Sequence, residues 1–304
     1  MFSRLFSQSG LSLERLRALV EVGARGSIAR AAENDPARQS LYSRQIKELE
    51  DFFQTGLVER QGRGIRLTAA GRELARISRF FLLGLSNFQR GRLAGGQTYR
   101  IGASATFLAA ILVPALAHTR RAQAGIHFAV EPVAEEDIER RLHDLTLDFG
   151  VVSRSELSRP LQLSPLGSVP LNLWVPRGLA KSAGAAAAAF TSGRLPFAWP
   201  AAELPPARFE LLQRQEPVLE CATFLNARQA LARGGLAAVL PDFLAPPEEA
   251  KHYFRLPPPA GIPDRLTFRL AWNPRLLRLN PHSVRQRDHF IQVLSRGLSP
   301  EERS

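Results

Sequence analysis

One cysteine in 304 residues, Cys221, excludes an intramolecular disulfide and any thiolate zinc cluster. Its neighbours Leu219, Ala222 and Phe224 mark it as a buried small hydrophobe, since a redox thiol needs cationic neighbours and access. Histidine is sparse as well. His118, His127, His143, His252, His282 and His289 include no pair at metal-ligand spacing, so neither a metal nor a cofactor is expected, and His118 and His143 read as solvated helix positions. The chain lacks a Gly-Lys-Ser/Thr phosphate loop and a nucleophile elbow. Gly62-Arg63-Gly64 has neither the third glycine nor the preceding buried strand that dinucleotide binding requires. Glu135-Glu136-Asp137, with Glu139, stands at a helix start, where the dipole accounts for the carboxylates without catalysis. These absences argue against an enzyme. Long apolar runs are missing too: the longest, Ala183 to Phe190, is mostly alanine and far too short to span a membrane. The opening Met1-Phe2-Ser3-Arg4-Leu5-Phe6 has no apolar core ahead of a cleavage site, so a cytoplasmic location is expected.

What is present is a basic chain of formal charge +12, with 45% hydrophobic and 22% charged residues, long enough for two or three cored units. Residues 1–97 hold 16 lysines and arginines against 9 acidic residues, and the remaining 207 hold 24 against 19. The first third is therefore the more cationic per residue, which favours a polyanion as its partner.

The segment from Ser40 to Glu50 is the most informative stretch. Ile46, Leu49 and Phe53 recur at helical spacing and must be buried, whereas Arg38, Gln39, Ser40, Ser43, Arg44 and Lys47 form a polar, cationic face suited to the edge of a base pair. Upstream, Leu13, Leu16, Leu19 and Val20 give a first amphipathic helix, and Ser27 caps a second that begins Ile28-Ala29-Arg30. A turn near Asn34-Asp35-Pro36 then completes a helix-turn-helix. Glu59 to Thr68 reads as a short hairpin with glycines at its tip and outward arginines, a wing able to reach phosphate. From Ala69 to about Leu93, Leu74, Ile77, Phe81, Leu85 and Phe88 step by three or four residues. That long apolar stripe needs a partner, most simply the same helix of a second chain. Gly91 and Gly95-Gly96-Gln97 end the helix in a hinge.

From Leu13 to Gly71 the chain resembles the DNA-binding domain of the LysR-type transcriptional regulators. The resemblance is carried by Gly26-Ser27, Ala31-Ala32, Ser43-Arg44-Gln45-Ile46, Leu49-Glu50, Arg60 and Leu67-Thr68-Ala69-Ala70-Gly71. Three positions depart from the family: Asp35 replaces a turn leucine, Ser40 a frequent proline and Gln54 the glycine that follows the recognition helix. The first predicts looser packing between the second and third helices, and the last a weaker helix C-cap.

Beyond Thr98, short apolar runs alternate with amphipathic helices. Strands are expected at Tyr99–Ala103, Ile126–Val130, Phe149–Val152, Leu195–Trp199, Pro217–Cys221, Leu236–Pro241 and Arg265–Trp272, with helices over Phe107–Arg120, Glu135–Leu145 and through Ala227–Ala232. A mostly parallel, doubly covered sheet follows. Ile101-Gly102-Ala103-Ser104, Leu147 to Val152 and Ala232 to Pro241 resemble the same family's effector-binding domain, which has two Rossmann-like subdomains like those of periplasmic solute-binding proteins.

The expected architecture is thus α/β: a winged helix-turn-helix over 1–68, a linker and dimerisation helix with hinge over 69–97, and an effector-binding domain over 98–304. Within the last, subdomain I takes 98–176 and 265–304, and subdomain II 177–264. In such a fold the ligand lies in the cleft where strand C-termini of both subdomains face each other. Ser104 and Thr106 fall where the first strand meets a helix N-terminus whose amides can hold an anion, and Ser153, Trp199 and Thr223 complete the lining. A small organic anion is the expected effector.

On the DNA side, Arg38, Gln39, Ser40, Tyr42 and Ser43 are expected at base edges, and Ser27, Arg44, Lys47, Arg63 and Arg66 at phosphates. The resemblance further implies a homodimer or homotetramer, double-stranded DNA, a small-molecule effector and RNA polymerase as partners, and no membrane. A rival expectation is a solute-binding or protein-interaction module whose DNA-binding domain has decayed, motivated by Asp35, Ser40 and Gln54.

Overall fold

A computed structural model of the chain describes residues 5, 9–61, 64–92, 97–119, 126–204, 216–245, 250–279 and 282–299. It divides into two compact units, Met1–Gln97 and Thr98–Ser304.

The first unit opens with α1 (Leu13–Arg25), α2 (Ile28–Ala31) and α3 (Pro36–Phe53). Each begins on a side chain that satisfies an otherwise orphaned amide. Ser12 Oγ accepts from Arg15 N at 3.3 Å, Ser27 Oγ from Arg30 N at 3.2 Å and Asp35 Oδ1 from Ala37 N at 2.9 Å. Asp35 therefore tightens the turn, contrary to the looser packing expected of it: it caps a helix whose first residue is Pro36. At the other end Gln54 takes the left-handed conformation, with φ 51° and ψ 42°, and its amide donates to Glu50 O. Its side-chain Nε2 also donates to Asp51 O at 2.5 Å, so the helix closes without the family's glycine.

Leu16, Leu19 and Val22 of α1 meet Ile28 and Ala31 of α2 and Tyr42, Ile46 and Leu49 of α3 in one core. Leu13, expected inside, is exposed. Strands β1 (Val58–Gln61) and β2 (Gly64–Leu67) pair antiparallel as the wing, Val58 opposite Leu67 and Glu59 opposite Arg66. Glu50 ties the wing to α3, its Oε1 accepting from Leu57 N at 2.6 Å and Val58 N at 3.0 Å. The long helix α4 (Ala69–Arg92) then starts on Thr68, whose Oγ1 accepts from Gly71 N at 3.0 Å. Gly71 is required there, because a Cβ would lie 2.1 Å from Leu57 O.

In the second unit the described residues form a nine-stranded mixed sheet. Its strands are β3 (Gln97–Ala103), β4 (Ile126–Pro132), β5 (Phe149–Val152), β6 (Gln162–Pro176), β7 (Phe197–Pro200), β8 (Leu219–Cys221), β9 (Ala237–Pro241), β10 (Tyr253–Leu256) and β11 (Arg265–Trp272). Their order is β4-β3-β5-β11-β6-β9-β7-β8, with β10 also on β6. Parallel pairs join β3 to β5 and β7 to both β8 and β9, but β11 and β6 run antiparallel to their neighbours, so the sheet is less parallel than expected. The 15-residue β6 pairs β11 through its first part and β9 and β10 through its last, so its final residues, on the subdomain I side of the expected boundary at residue 176, join strands of subdomain II.

Helix α5 comprises Ala105–Phe107, a π-turn segment Leu108–Leu112 and Val113–Thr119; the expected end at Arg120 lies outside the described residues. Helices α6 (Glu135–His143), α7 (Ala183–Thr191), α8 (Phe224–Gly234), α9 (Pro274–Leu279) and α10 (His282–Leu298) complete the layers. One core gathers Tyr99, Phe107, Phe149, Leu270 and, from α10, Phe290, Leu294 and Leu298; another gathers Trp174, Phe190, Trp199, Phe224 and Val239.

Candidate nucleic-acid interface and ligand cleft

Helix α3 sorts its side chains by face. Tyr42, Ile46 and Leu49 are buried, whereas Arg38, Ser40, Ser43, Arg44 and Lys47 are exposed and Gln39 and Gln45 are half-buried. The exposed set continues from the N-terminal turn, where a helix entering a major groove penetrates deepest. Arg38 also meets Glu33 at 3.1 Å, an exposed pair that a phosphate or base could replace at small cost. Tyr42 departs from expectation: its ring lies in the core and its hydroxyl donates to Glu21, so it holds α3 against α1 and does not present itself to a base edge. That hydrogen bond, with burial, raises the Tyr42 phenol above its usual range. Ser27 caps α2, yet a hydroxyl that accepts from Arg30 N still has a proton to donate. Arg66 is exposed on the wing, and Arg63 lies outside the described residues.

On α4 the expected stripe divides. Leu74 packs against the helix-turn-helix core, while Ile77, Phe81, Leu85 and Phe88 are 55%, 48%, 43% and 68% exposed. Four large apolar side chains one turn apart on one helix form a contiguous unburied seam.

The second unit contains a cleft of about 260 Å³ at the C-terminal ends of its strands. Its wall takes Ser104–Phe107 after β3, Pro132–Glu136 after β4, Val151–Ser153 at the end of β5, Ala202 and Glu203 after β7, Ala222–Phe224 after β8, and Phe243, Leu266 and Phe268. Four of the five expected lining residues, Ser104, Thr106, Ser153 and Thr223, are there. Trp199 is not: it is fully buried, and its Nε1 donates to Leu204 O at 2.8 Å, pinning the turn that carries Glu203.

The hydroxyls do not face the cavity unengaged. Glu203 Oε1 accepts from Thr106 N at 3.1 Å, and its Oε2 accepts from Thr106 Oγ1 at 2.6 Å and Phe224 N at 2.7 Å. One carboxylate thus sits on the N-termini of α5 and α8 together, the positions at which helix dipoles and free amides favour an anion. Glu135 does the same beside β5, accepting from Ser153 N at 2.9 Å, Ser153 Oγ at 2.7 Å and Arg154 N at 2.9 Å. Ser104 Oγ caps α5 through Phe107 N at 3.3 Å, and Thr223 Oγ1 accepts from Asn226 N at 3.2 Å and donates to Asn226 Oδ1 at 2.8 Å. Of the donors expected to meet a ligand, those of Thr106 and Ser153 are therefore engaged by the chain's own carboxylates and the Thr223 hydroxyl by Asn226.

Glu203 and the cross-sheet role of Glu135 are missing from the sequence reading, which left Glu135 to the helix dipole. A single carboxylate in the apolar run Ala201-Ala202-Glu203-Leu204, just past a strand end, was the available signal. Nearby, Glu139 accepts from Ser158 N and Oγ at 2.8 and 2.5 Å, which holds its carboxyl below the usual glutamate range. His143 meets the same Ser158 hydroxyl at 2.7 Å and is not simply solvated. Cys221 is half-buried, and burial raises its thiol.

Two family models match the chain: the bacterial regulatory helix-turn-helix protein model of the lysR family over residues 13–72, and the LysR substrate binding domain over residues 94–287. The chain belongs to the LysR family. Among relatives of this LysR-type chain, an uncharacterized HTH-type transcriptional regulator, YfeR, of Shigella flexneri is 30% identical over 145 residues, 46% of this chain and 47% of that one. HdfR of Shigella boydii, an HTH-type transcriptional regulator, is 27% identical over 172 residues, 54% of this chain and 61% of the other. The chain thus spans about half the length of these relatives. A full-length LysR-type regulator, LysG from Corynebacterium glutamicum with bound effector Arg, superposes with a TM-score of 0.65 at 18% identity, over 95% of this chain and 100% of that one. At that identity the likeness establishes the fold alone. No helix of the described residues is long and apolar enough to cross a membrane.

Proposed function

We propose that this LysR-type chain is a sequence-specific, DNA-binding transcriptional regulator whose activity answers to a small molecule held in the cleft of its second unit. The observation that carries the reading is the division of α3. A rigid apolar reverse side, Tyr42, Ile46 and Leu49, presents Arg38, Gln39, Ser40 and Ser43 to a major groove while Ser27, Arg44, Lys47 and Arg66 take phosphates. Residues 1–68 act as the winged DNA reader, 69–97 as linker and dimerisation helix, and 98–304 as the ligand-responsive part, its two subdomains sharing β6. The seam Ile77, Phe81, Leu85 and Phe88 is covered by the same helix of a second chain, giving a homodimer or a homotetramer. The protein works in the cytoplasm with double-stranded DNA and, at the promoter, RNA polymerase.

Decay of the DNA-binding domain loses its motive here. Asp35 caps α3, Gln54 closes it, and Ser40 lies exposed on the face that reads DNA. Selection of duplexes from a random library, followed by salt titration against a scrambled control, tests the function. A reader of sequence binds the selected duplex about 10³-fold or more tightly, with affinity on both duplexes falling steeply as salt rises. Equal binding of both duplexes refutes it.

A further inference from the structure

The lining of the cleft limits what can enter it. Among the described residues of its wall there is no lysine, arginine or histidine, whereas three are glutamates: Glu135, Glu136 and Glu203. Glu135 is balanced by Arg154, whose Nε lies 3.7 Å away. Among the described residues Glu203 is held by neutral donors, the amides of Thr106 and Phe224 and the Thr106 hydroxyl. Two helix N-termini supply it with partial positive charge, and in neutralising them it removes what an incoming carboxylate would need. A second anion would desolvate beside a fixed carboxylate that already holds the Thr106 and Phe224 amides and the Thr106 hydroxyl. Beside the hydroxyls of Ser104, Thr106, Ser153 and Thr223, the wall is largely apolar and includes Phe107, Val133, Phe224, Phe243 and Phe268.

We propose, resting on the reading of this cleft as the effector site, that it takes a small apolar amine and refuses carboxylates. The ammonium seats against Glu203. Oε1 there accepts a single bond among the described residues, from Thr106 N, and a carboxylate oxygen has capacity for a second. Three donors and the buried Trp199, which pins the turn through Leu204 O, fix the carboxylate in place, so a ligand meets it preorganised. The aromatic wall takes the apolar body, and a volume of about 260 Å³ restricts it to something small.

The test uses the full chain and three matched probes, 2-phenylethylamine, 2-phenylethanol and phenylacetate, within a panel of amines, alcohols and carboxylates of similar size. Calorimetric titration and the thermal transition followed by tryptophan emission report binding; Trp174, Trp199 and Trp272 all lie in the second unit. The amines are expected to bind and raise the transition temperature, the alcohols to do so weakly and the carboxylates not at all. The net charge of +12 would draw the carboxylates, so preference for amines cannot come from non-specific attraction. Glu203→Gln should weaken amine binding by about tenfold or more. Ala222→Trp, at an exposed wall position, should abolish it and so place it in the cleft. Carboxylates that bind better than amines, and lose binding in Ala222→Trp, overturn the ligand class and leave the effector site standing. Failure of every class to bind overturns both. The comparison of probes in the unaltered chain stands even if Glu203→Gln does not fold.

Discussion

The two faces expected to bind something are built in opposite ways. On α3 the polar residues point outward and the apolar ones lock the helix from behind, so the surface is open to DNA without rearrangement. In the cleft the polar residues point largely at one another: Thr106, Ser153 and the Phe224 amide are engaged by Glu203 and Glu135, and most of the remaining wall is apolar. A polar side chain on an exposed helix face is therefore accessible to a partner. The same side chain at the mouth of a helix can be the binding site of the protein's own carboxylate.

The contrast can be broken or sharpened by substitution. The largest effect is expected at the seam of α4, where Phe81→Glu places a charge among the exposed apolar side chains that the proposed second chain covers. Sedimentation equilibrium should show the dissociation constant rising by roughly two orders of magnitude, about 3 kcal/mol, and an unchanged constant would assign the interface elsewhere. Next comes Glu203→Ala, which strips partners from Thr106 and Phe224. Tryptophan emission during urea unfolding should report a loss of about 2–4 kcal/mol in the second unit, and no change would mean that the carboxylate is incidental. On the open face, Gln39→Ala should cost about 1–3 kcal/mol on a selected duplex and relax base preference. Arg66→Ala should instead weaken all duplexes alike and reduce the salt dependence. Equal losses for Gln39→Ala on selected and random DNA would remove it from the base-reading set.

The smallest effect is at Tyr42. Because the folded phenol titrates above its ordinary value, its contribution is complete below about pH 10 and is lost as pH rises through the folded value. Tyr42→Phe should cost the first unit about 1 kcal/mol and flatten that alkaline limb, read as amide exchange in α1 and α3. An alkaline limb identical in both proteins would separate Tyr42 from it.

The first unit was legible in the sequence because its determinants are local. The spacing of Ile46 and Leu49 and the cap at Ser27 lie within a turn or two of what they organise, whereas the caps formed by Asp35 and Gln54 were not legible there. Tyr42 was misassigned because a half-polar side chain at helical spacing fits either face, and only the position of Glu21 on α1 decides between them. The second unit was legible in its apolar runs and opaque elsewhere. Strand β6 carries Pro165, Gly167 and Pro170, residues that disfavour a strand, and a register irregularity opposite Phe268 and Arg269 falls at the first two of them. The lone carboxylate at Glu203 hinted at a role, but its partner could not be foreseen, since Thr106 is 97 residues away in the chain.

The most direct test of the account is hydrogen exchange at two amides, Thr106 and Phe224, in the ligand-free full chain. Both lie in the first turn of a helix, where amides without a capping partner ordinarily exchange fast. If Glu203 occupies both helix ends, these two should be protected in the native protein and lose that protection in Glu203→Ala. Rapid exchange of both in the unaltered chain would contradict a self-filled cleft.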